Sequence, residues 1–348
     1  MKKNEYNSCL DFIKGIACIL VVLIHCRFPG TLGLAIPAIS RFCVPFFFMV
    51  SGYFCFRPLF ASTIPNVSGN VNGGAKWASL WRKIRHVGKI TFYASLFYIV
   101  YLILRSLFVP IDFSFSINQI LDWIIFNSPV IIAGQYWFLF ALLYAYIFYG
   151  ILEKLGLRKF SYLLAAILFV VYICLAQGAH ITGANIYKLF YRNWLVEAFP
   201  YFMLGHWIHE NQDKIRMSNR MLLTTIVVTT LLCWVERWTM GREFGVNVAS
   251  IPQVFAIFVY GVKNPMRHKS VMQRLGRDCS MLVYILHPIM WHSFDDVYLY
   301  SGASENVIAL YIKPLLVVLA SIAGALFFNW LVEEHKGTTI CCKNILKN

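Results

Sequence analysis

Ten long apolar segments, separated by short polar stretches, constrain this chain more than any other feature of its sequence. A helix needs about 20 mostly apolar residues to cross the hydrocarbon core of a bilayer. Segments close to this length lie at roughly 10–28, 34–56, 90–109, 136–152, 160–177, 195–209, 221–237, 246–262, 280–299 and 310–332. They predict an all-α integral membrane protein, a bundle of about ten transmembrane helices forming one domain over residues 1–348.

The distribution of positive charge predicts the orientation of these helices. With the N-terminus assigned to the cytoplasm, roughly three times as many Lys and Arg fall on the cytoplasmic side as on the opposite side. Both termini are therefore expected to be cytoplasmic. The same bias explains the net charge of +15 in a chain with only 14% charged residues. We therefore expect the lipid bilayer, and no nucleic acid, as a partner.

Two of the predicted loops are long. Residues 57–89 form a basic cytoplasmic loop, which contains a flexible Gly/Asn/Ser-rich stretch and ends in the basic, aromatic segment Trp77 to Lys89. On the outer side, loop 111–135 contains the apolar run Ile120 to Ile132, which is too short to cross the bilayer. This run is predicted to lie along the membrane interface or to re-enter the membrane.

Ionisable residues inside membrane spans are costly, so each is a candidate for function. Lys14 and His25 are eleven residues apart, which places them on one face of the first helix, about 16 Å apart along its axis. Imidazole suits proton transfer because its pKa lies near the working pH. The alternative is that Lys14 anchors the helix at the cytoplasmic surface and His25 lies at the outer interface.

Three arginines are further candidates. Arg41 precedes Pro45 in the second predicted span, where its guanidinium must find acceptors or extend outward to the interface. Arg82 and Arg85 are one helical turn apart at the inner end of the third span, a spacing that suits phosphate binding and equally a cytoplasmic anchor. No Gly-rich phosphate loop occurs, so side-chain cations would have to hold any nucleotide.

Two later spans also carry ionisable groups. Glu197 begins the sixth span and is predicted to face an outer cavity, whereas His206 and His209 are interpreted as interfacial. His287, followed by Pro288 in the middle of the ninth span, is either a second proton-handling group or a polar kink. No set of His, Cys and carboxylate residues has the spacing of a metal site, so no metal is expected.

These motifs together resemble the membrane-bound acyltransferase-3 family over nearly the whole chain. The family has a basic residue, a ten-residue gap and a histidine, matched here by Lys14 and His25, although Arg is usual where this chain has Lys14. Arg82 and Arg85 match its Arg-x-x-Arg pair. The remaining similar segments are Arg41, Val44-Pro45-Phe46-Phe47-Phe48, Ser51-Gly52-Tyr53, Tyr136-Trp137-Phe138-Leu139 and Tyr284-Ile285-Leu286-His287-Pro288.

The resemblance implies transfer of an acyl group, mostly acetyl, from cytoplasmic acyl-CoA to a carbohydrate of the cell envelope, in a bacterial plasma membrane. The phosphates of acetyl-CoA would be held by Arg82, Arg85 and Lys14. His25 would act as general base or as an acyl relay.

The same resemblance assigns the remaining candidates. Arg41 and Tyr53 would stabilise the developing oxyanion. Glu197 and His287 would contact the acceptor, a lipid-linked or polymerised sugar that enters from the opposite side.

Two other classes of function compete with this interpretation. A proton-coupled transporter or flippase would also need ten spans with intramembrane His and Arg. A scaffold in a glycan-assembly complex is the third. Neither alternative requires cations that bind the phosphates of CoA. The sequence leaves open the acceptor sugar, the length of the acyl chain and the oligomeric state.

Overall fold

The computed structural model describes residues 7–55, 73–130, 132–266 and 270–345, with side chains except at 73–76 and 333–345. Every regular element in these ranges is helical, which confirms the all-α prediction. The α-helices are α1 (Ser8–His25), α2 (Gly30–Ile39), α3 (Cys43–Tyr53), α4 (Gly73–Ser106), α5 (Ile117–Phe126), α6 (Trp137–Lys154), α7 (Arg158–Ile173), α8 (Ala179–Thr182), α9 (Phe199–Asn211), α10 (Asn219–Met240), α11 (Ser250–Lys263), α12 (Val271–Arg274), α13 (Ser280–Tyr300) and α14 (Val307–Ile345).

Each of the ten predicted spans overlaps a helix, and the span 34–56 overlaps two, α2 and α3. Within the described residues, seven helical segments are long and apolar enough to cross a membrane, and they are Ser8–His25, Gly30–Tyr53, Trp77–Ser106, Gly134–Lys154, Arg158–Thr182, Asn219–Met240 and Val307–Val332. Helices α9 and α11 are shorter, with 13 and 14 residues, and α13 is not among the seven. The count of ten spans and the orientation of the termini remain predictions.

The helices group into two units. The terminal unit comprises residues 1–43 and 260–348, and the central unit comprises residues 44–259, each as far as the structure describes them. Of the eight predicted site residues, Lys14, His25, Arg41 and His287 belong to the terminal unit. The central unit carries the other four, which are Tyr53, Arg82, Arg85 and Glu197.

In the terminal unit, glycine lets α1 approach its neighbour unusually closely. A Cβ atom on Gly276 would lie 1.8 Å from the carbonyl oxygen of Asp11, and one on Gly15 would lie 2.2 Å from that of Met272. A Cβ atom cannot come this close to a carbonyl oxygen, so the two backbones can approach each other only where glycine leaves the Cβ position empty. The first half of α1, which carries Lys14, is therefore held against the segment Val271–Cys279.

In the central unit, α3 and α9 approach each other in the same way. A Cβ atom on Gly52 would lie 1.8 Å from the carbonyl oxygen of Phe202, and one on Gly205 would lie 2.0 Å from that of Met49. Reciprocal contacts of this kind are typical of closely packed transmembrane helices. Packing, rather than chemistry, thus accounts for the small residues at Ser51-Gly52.

Arg41 does not lie inside a helix, which corrects the prediction of a continuous helix over 34–56. A turn at residues 40–42 separates α2 from α3, and the half-buried Arg41 is at its centre. Pro45 explains the break, because it has no N–H for the carbonyl of residue 41 and its ring would clash with that carbonyl. In the first turn of α3 the missing N–H costs nothing.

The basic segment at the end of the predicted loop 57–89 is helical. Helix α4 begins at Gly73 and runs for 34 residues, so Trp77 to Lys89 form its first half rather than a loop. The segment from Ala75 to Val87 has neither Gly nor Pro, and residues such as Lys, Arg and Leu favour the helix. Residues 57–72, which include most of the stretch predicted to be flexible, lie outside the described residues.

The loop predicted at 111–135 contains a short helix. Ten-residue α5 is about 15 Å long, half of what a span requires. Asn127 ends it in the left-handed conformation, donates to the carbonyl of Trp137 and accepts from the N–H of Trp194. The Tyr187 hydroxyl donates to Asp122 on α5 over 2.7 Å, and this bond raises the pKa of the Tyr187 phenol.

Candidate active site

Two histidines from distant parts of the sequence meet in the terminal unit. The imidazoles of His25, the last residue of α1, and His287, in the middle of α13, are stacked with ring centroids 5.3 Å apart and planes inclined by 29°. The indole of Trp291, one turn further along α13, lies 6.3 Å from the His25 ring. His25 is half-buried, whereas His287 has no exposed surface.

The sequence around His287 determines which of its nitrogens carries a proton. Pro288 has no N–H, so the carbonyl of Tyr284, four residues earlier, lacks its helical donor. Nδ1 of His287 takes that donor's place, 2.7 Å from the Tyr284 oxygen. A carbonyl only accepts hydrogen bonds, so Nδ1 bears the proton and Nε2 of the neutral ring has the lone pair.

Nε2 of His287 is buried and has no hydrogen-bond partner among the described residues. Leaving a buried polar atom unpaired costs about 1–3 kcal/mol, and such atoms are rare in folded proteins. The atom has the lone pair that a general base needs, and it lies in a ring stacked on His25. The structure therefore brings together a half-buried imidazole and a fully buried nitrogen with an unpaired lone pair.

Lys14 lies on the same unbroken helix as His25, as the sequence predicted. Its ammonium group pairs with the carboxylate of Asp11, one turn earlier, and Asp11 is buried. The main chain of Asp11 is also where Gly276 makes its close approach. The charge of Lys14 is thus held in place by both its ion pair and the packing of α1.

Arg82 and Arg85 lie exposed on one face of α4, in the central unit. The guanidinium carbon of Arg85 lies 5.7 Å from the ring centroid of Trp81, a stacking distance for a cation on an indole. The neighbouring Lys83 is buried instead and donates to the carbonyl of Phe54. The helix therefore directs the two arginines outward, where an anionic group can reach both.

Tyr53 is the last residue of α3, and its hydroxyl already has a partner. It donates to Oε1 of Gln212 over 2.8 Å, while its ring packs edge-on against His209 and Phe258. A phenol has a single proton. Tyr53 can donate to an oxyanion only after it leaves Gln212.

Glu197 lies in the packed interior of the central unit, whereas the sequence placed it beside an outer cavity. It belongs to a π-helical turn, Trp194–Ala198, that leads into α9, and only 3% of its surface is exposed. A Cβ atom on Gly245 would lie 3.3 Å from Oε2 and 3.4 Å from the hydroxyl of Tyr172. π-helical turns are frequent at functional sites, but their positions are hard to predict from sequence.

His206, predicted to be interfacial, is buried inside the helix bundle. Only 1% of its surface is exposed. Its Nε2 lies 3.1 Å from the hydroxyl of Tyr149, and its Nδ1 lies 2.8 Å from that of Tyr162. The two phenols supply polar partners inside the helix bundle, which removes the cost of burying the ring.

Trp291 was also missed, although one signal could have identified it. It follows His287 by four residues, so the two side chains share a face of α13. Which residue of another helix they meet depends on tertiary packing.

Comparisons with known proteins identify a domain family. A family model described as an acyltransferase domain, of the acyltransferase-3 type, matches residues 7–334. The match includes both histidines of the stacked pair and all the other predicted site residues. No curated protein and no solved structure matches the chain.

Proposed function

Because the chain belongs to the acyltransferase-3 family and is a multi-pass membrane acyltransferase, we propose that it moves an acetyl group from acetyl-CoA to a carbohydrate hydroxyl. The acceptor is a sugar of the cell envelope, lipid-linked or polymerised, and the protein acts in a bacterial plasma membrane. The donor approaches from the cytoplasm and the acceptor from the other side.

The stacked pair of His25 and His287 supports this proposal most directly. Acyl transfer from a thioester to a hydroxyl needs a group that removes the proton of the hydroxyl, and an imidazole near neutral pH is well suited to this. Because the His25 ring is only half-buried, a substrate can reach it. His25 acts as general base or as a relay that takes the acyl group first.

The donor is bound by cations in this proposal. CoA carries several phosphates, and exposed Arg82 and Arg85 present two guanidinium groups one turn apart for charge-assisted hydrogen bonds. Lys14 contributes a point charge rather than the two-pronged contact of arginine. Its ion pair with Asp11 leaves the other two protons of the ammonium group available for a phosphate.

The remaining residues are proposed to act on the developing charge and the acceptor. Arg41, in the turn between α2 and α3, is not constrained by a helix and is the proposed donor to the oxyanion. Tyr53 could share this role only after its hydroxyl leaves Gln212. His287 contacts the acceptor, whereas Glu197 lies in the packed interior of the central unit and is given no contact in this proposal. Donors of this kind are most effective where water is excluded, because the local dielectric constant is low.

The test uses the full chain purified into lipid nanodiscs. Radiolabelled acetyl-CoA is mixed with envelope glycans, and both release of free CoA and label on the carbohydrate are measured. We expect equal amounts of the two products, and neither from nanodiscs that carry His25→Ala. Movement of a lipid-linked sugar across the bilayer without release of CoA would instead identify a flippase and overturn the proposal.

A further inference from the structure

We propose that the two stacked imidazoles divide the reaction, so that His25 takes the acyl group and His287 takes the proton of the acceptor hydroxyl. This inference rests on the proposed function and decides between the two roles left open for His25. It follows from three properties of the pair, which are the different accessibility of the rings, the protonation of His287 and the distance between them.

The accessibility of the two rings differs in the direction that this division requires. A nucleophile must meet the thioester of a large donor, and His25 is half-buried at the end of its helix. A general base has only to reach one proton, and His287 is fully buried. A substrate that enters this site therefore meets His25 first.

The proton of the neutral His287 ring is on Nδ1, which leaves the lone pair on Nε2. Pro288 frees the carbonyl of Tyr284, and Nδ1 of His287 donates to it. Nε2 consequently has its lone pair and, within the described residues, no competing donor. A hydroxyl of the acceptor would supply the hydrogen bond that this buried atom lacks. The Tyr284 carbonyl and Pro288 act as positioning groups.

The geometry of the pair suits two successive steps. The rings face each other with centroids 5.3 Å apart, so neither ring points an N–H directly at its neighbour's lone pair. A hydroxyl that donates to Nε2 of His287 over about 2.8 Å would lie beside an acyl group attached to the His25 ring. An acyl group on His25 is thus within range of an acceptor that His287 holds.

The two steps balance in atoms and protons. In the first, the lone pair of a His25 nitrogen attacks the thioester carbonyl, the C–N bond forms, the C–S bond breaks, and the remaining ring proton leaves with the thiolate as CoA thiol. In the second, the acceptor oxygen attacks the acyl carbon while its proton moves to Nε2 of His287. The C–N bond breaks, and a water molecule carries that proton from Nε2 of His287 to the released nitrogen of His25.

The experiment separates the two steps with His25→Asn and His287→Asn in the full chain. In the second variant, the side-chain nitrogen of the asparagine is close to the position of Nδ1, so the Tyr284 carbonyl keeps a donor while Nε2 is lost. With radiolabelled acetyl-CoA, we expect His287→Asn to release one equivalent of CoA and to retain a label that hydroxylamine removes. Its transfer to carbohydrate should fall about 10²–10⁴-fold. His25→Asn should release no CoA and carry no label.

A control variant and an alternative substitution of His287 complete the experiment. His180→Gln keeps a donor for the Met240 carbonyl, which the His180 ring contacts at 2.9 Å, and should behave as wild type. If His287→Asn does not fold, His287→Gln places an amide near the position of Nε2, which can accept a hydrogen bond but cannot take a proton. It should accumulate the same label.

The possible outcomes distinguish this inference from the proposed function. Wild-type protein that transfers no acyl group would overturn the proposed function itself. Active wild type, together with a His287 variant that transfers at an unchanged rate, would overturn the inference alone. So would a His287 variant that neither releases CoA nor carries label, because His287 would then act before the acyl group leaves CoA.

Discussion

His25 and His287 stack with their ring centroids 5.3 Å apart, although one ends the first helix and the other lies near the middle of α13. The pair combines a ring that substrate can reach with a ring whose free nitrogen is buried. Substitutions in the pair and in the residues around it should therefore have distinct effects on activity.

Replacing His25 with Ala should abolish acyl transfer and leave membrane insertion intact, because no group remains to take the acyl group. The side chain is half-buried at a helix end, so its removal leaves only a small cavity. Transfer of label from acetyl-CoA to glycan measures the first effect, and size-exclusion behaviour in detergent measures the second. An unchanged product yield would remove His25 from the chemistry.

The double substitution Arg82→Ala/Arg85→Ala should raise the KM for acyl-CoA about tenfold or more, and the KM for the acceptor much less. Each hydrogen bond to a charged group contributes about 1.5–3 kcal/mol, so the loss of even one gives this effect. Steady-state kinetics with each substrate varied in turn provide the measurement. Arg216→Ala/Arg220→Ala removes the same charge from another exposed basic pair. Equal changes in both KM values would mean that Arg82 and Arg85 only anchor α4.

Lys14→Arg should retain activity within about a factor of ten, because arginine keeps the positive charge and can also pair with Asp11. Lys14→Gln, which is similar in length but uncharged, should raise the KM for acyl-CoA. Comparison of the two variants in the CoA-release assay separates charge from shape. An inactive Lys14→Arg would show that the site is shaped around lysine.

Gly276→Ala should lower the thermal unfolding midpoint and the activity together. The new Cβ atom would lie 1.8 Å from the Asp11 carbonyl oxygen and 2.5 Å from the Gly15 nitrogen, so α1 would have to move. Overpacking typically costs about 1–3 kcal/mol, and a backbone clash costs at least that. Gly88→Ala on α4 is the matched control, since its Cβ would meet no atom within 4 Å. Equal midpoints for the two variants would contradict the close approach.

Pro288→Ala should lower kcat several-fold with little change in either KM. The alanine restores an N–H that competes with Nδ1 of His287 for the Tyr284 carbonyl, which weakens a hydrogen bond of about 1 kcal/mol. Pro314→Ala removes a proline from the interior of α14 and serves as the control. A rise in KM without a fall in kcat would indicate that Pro288 shapes the binding site instead.

Some features of the site followed from local sequence. The spacing of Lys14 and His25 placed both on one helix, and α1 runs unbroken through them. The break at Arg41 could have been predicted as well, because Pro45 makes a continuous helix unfavourable there.

Other features could not be predicted from sequence. The burial of His206 depends on Tyr149 and Tyr162, which come from two other helices. Glu197, in a π-helical turn, is buried near Gly245 and Tyr172, which are distant in sequence. Helical periodicity gives the face on which a residue lies but not the surface that will cover it.

The sequence by itself determined that the chain is a bundle of apolar helices and that it belongs to a family of acyltransferases. Both conclusions depend on local properties, namely the length of the apolar runs and the presence of short motifs. These properties of a segment do not depend on what it packs against. Only the tertiary structure decided which polar groups meet. His25 faces His287 in the folded chain, and glycines such as Gly15 and Gly276 let α1 lie close to the segment Val271–Cys279 that precedes α13. That packing depends on the shapes of both surfaces, which no single segment specifies.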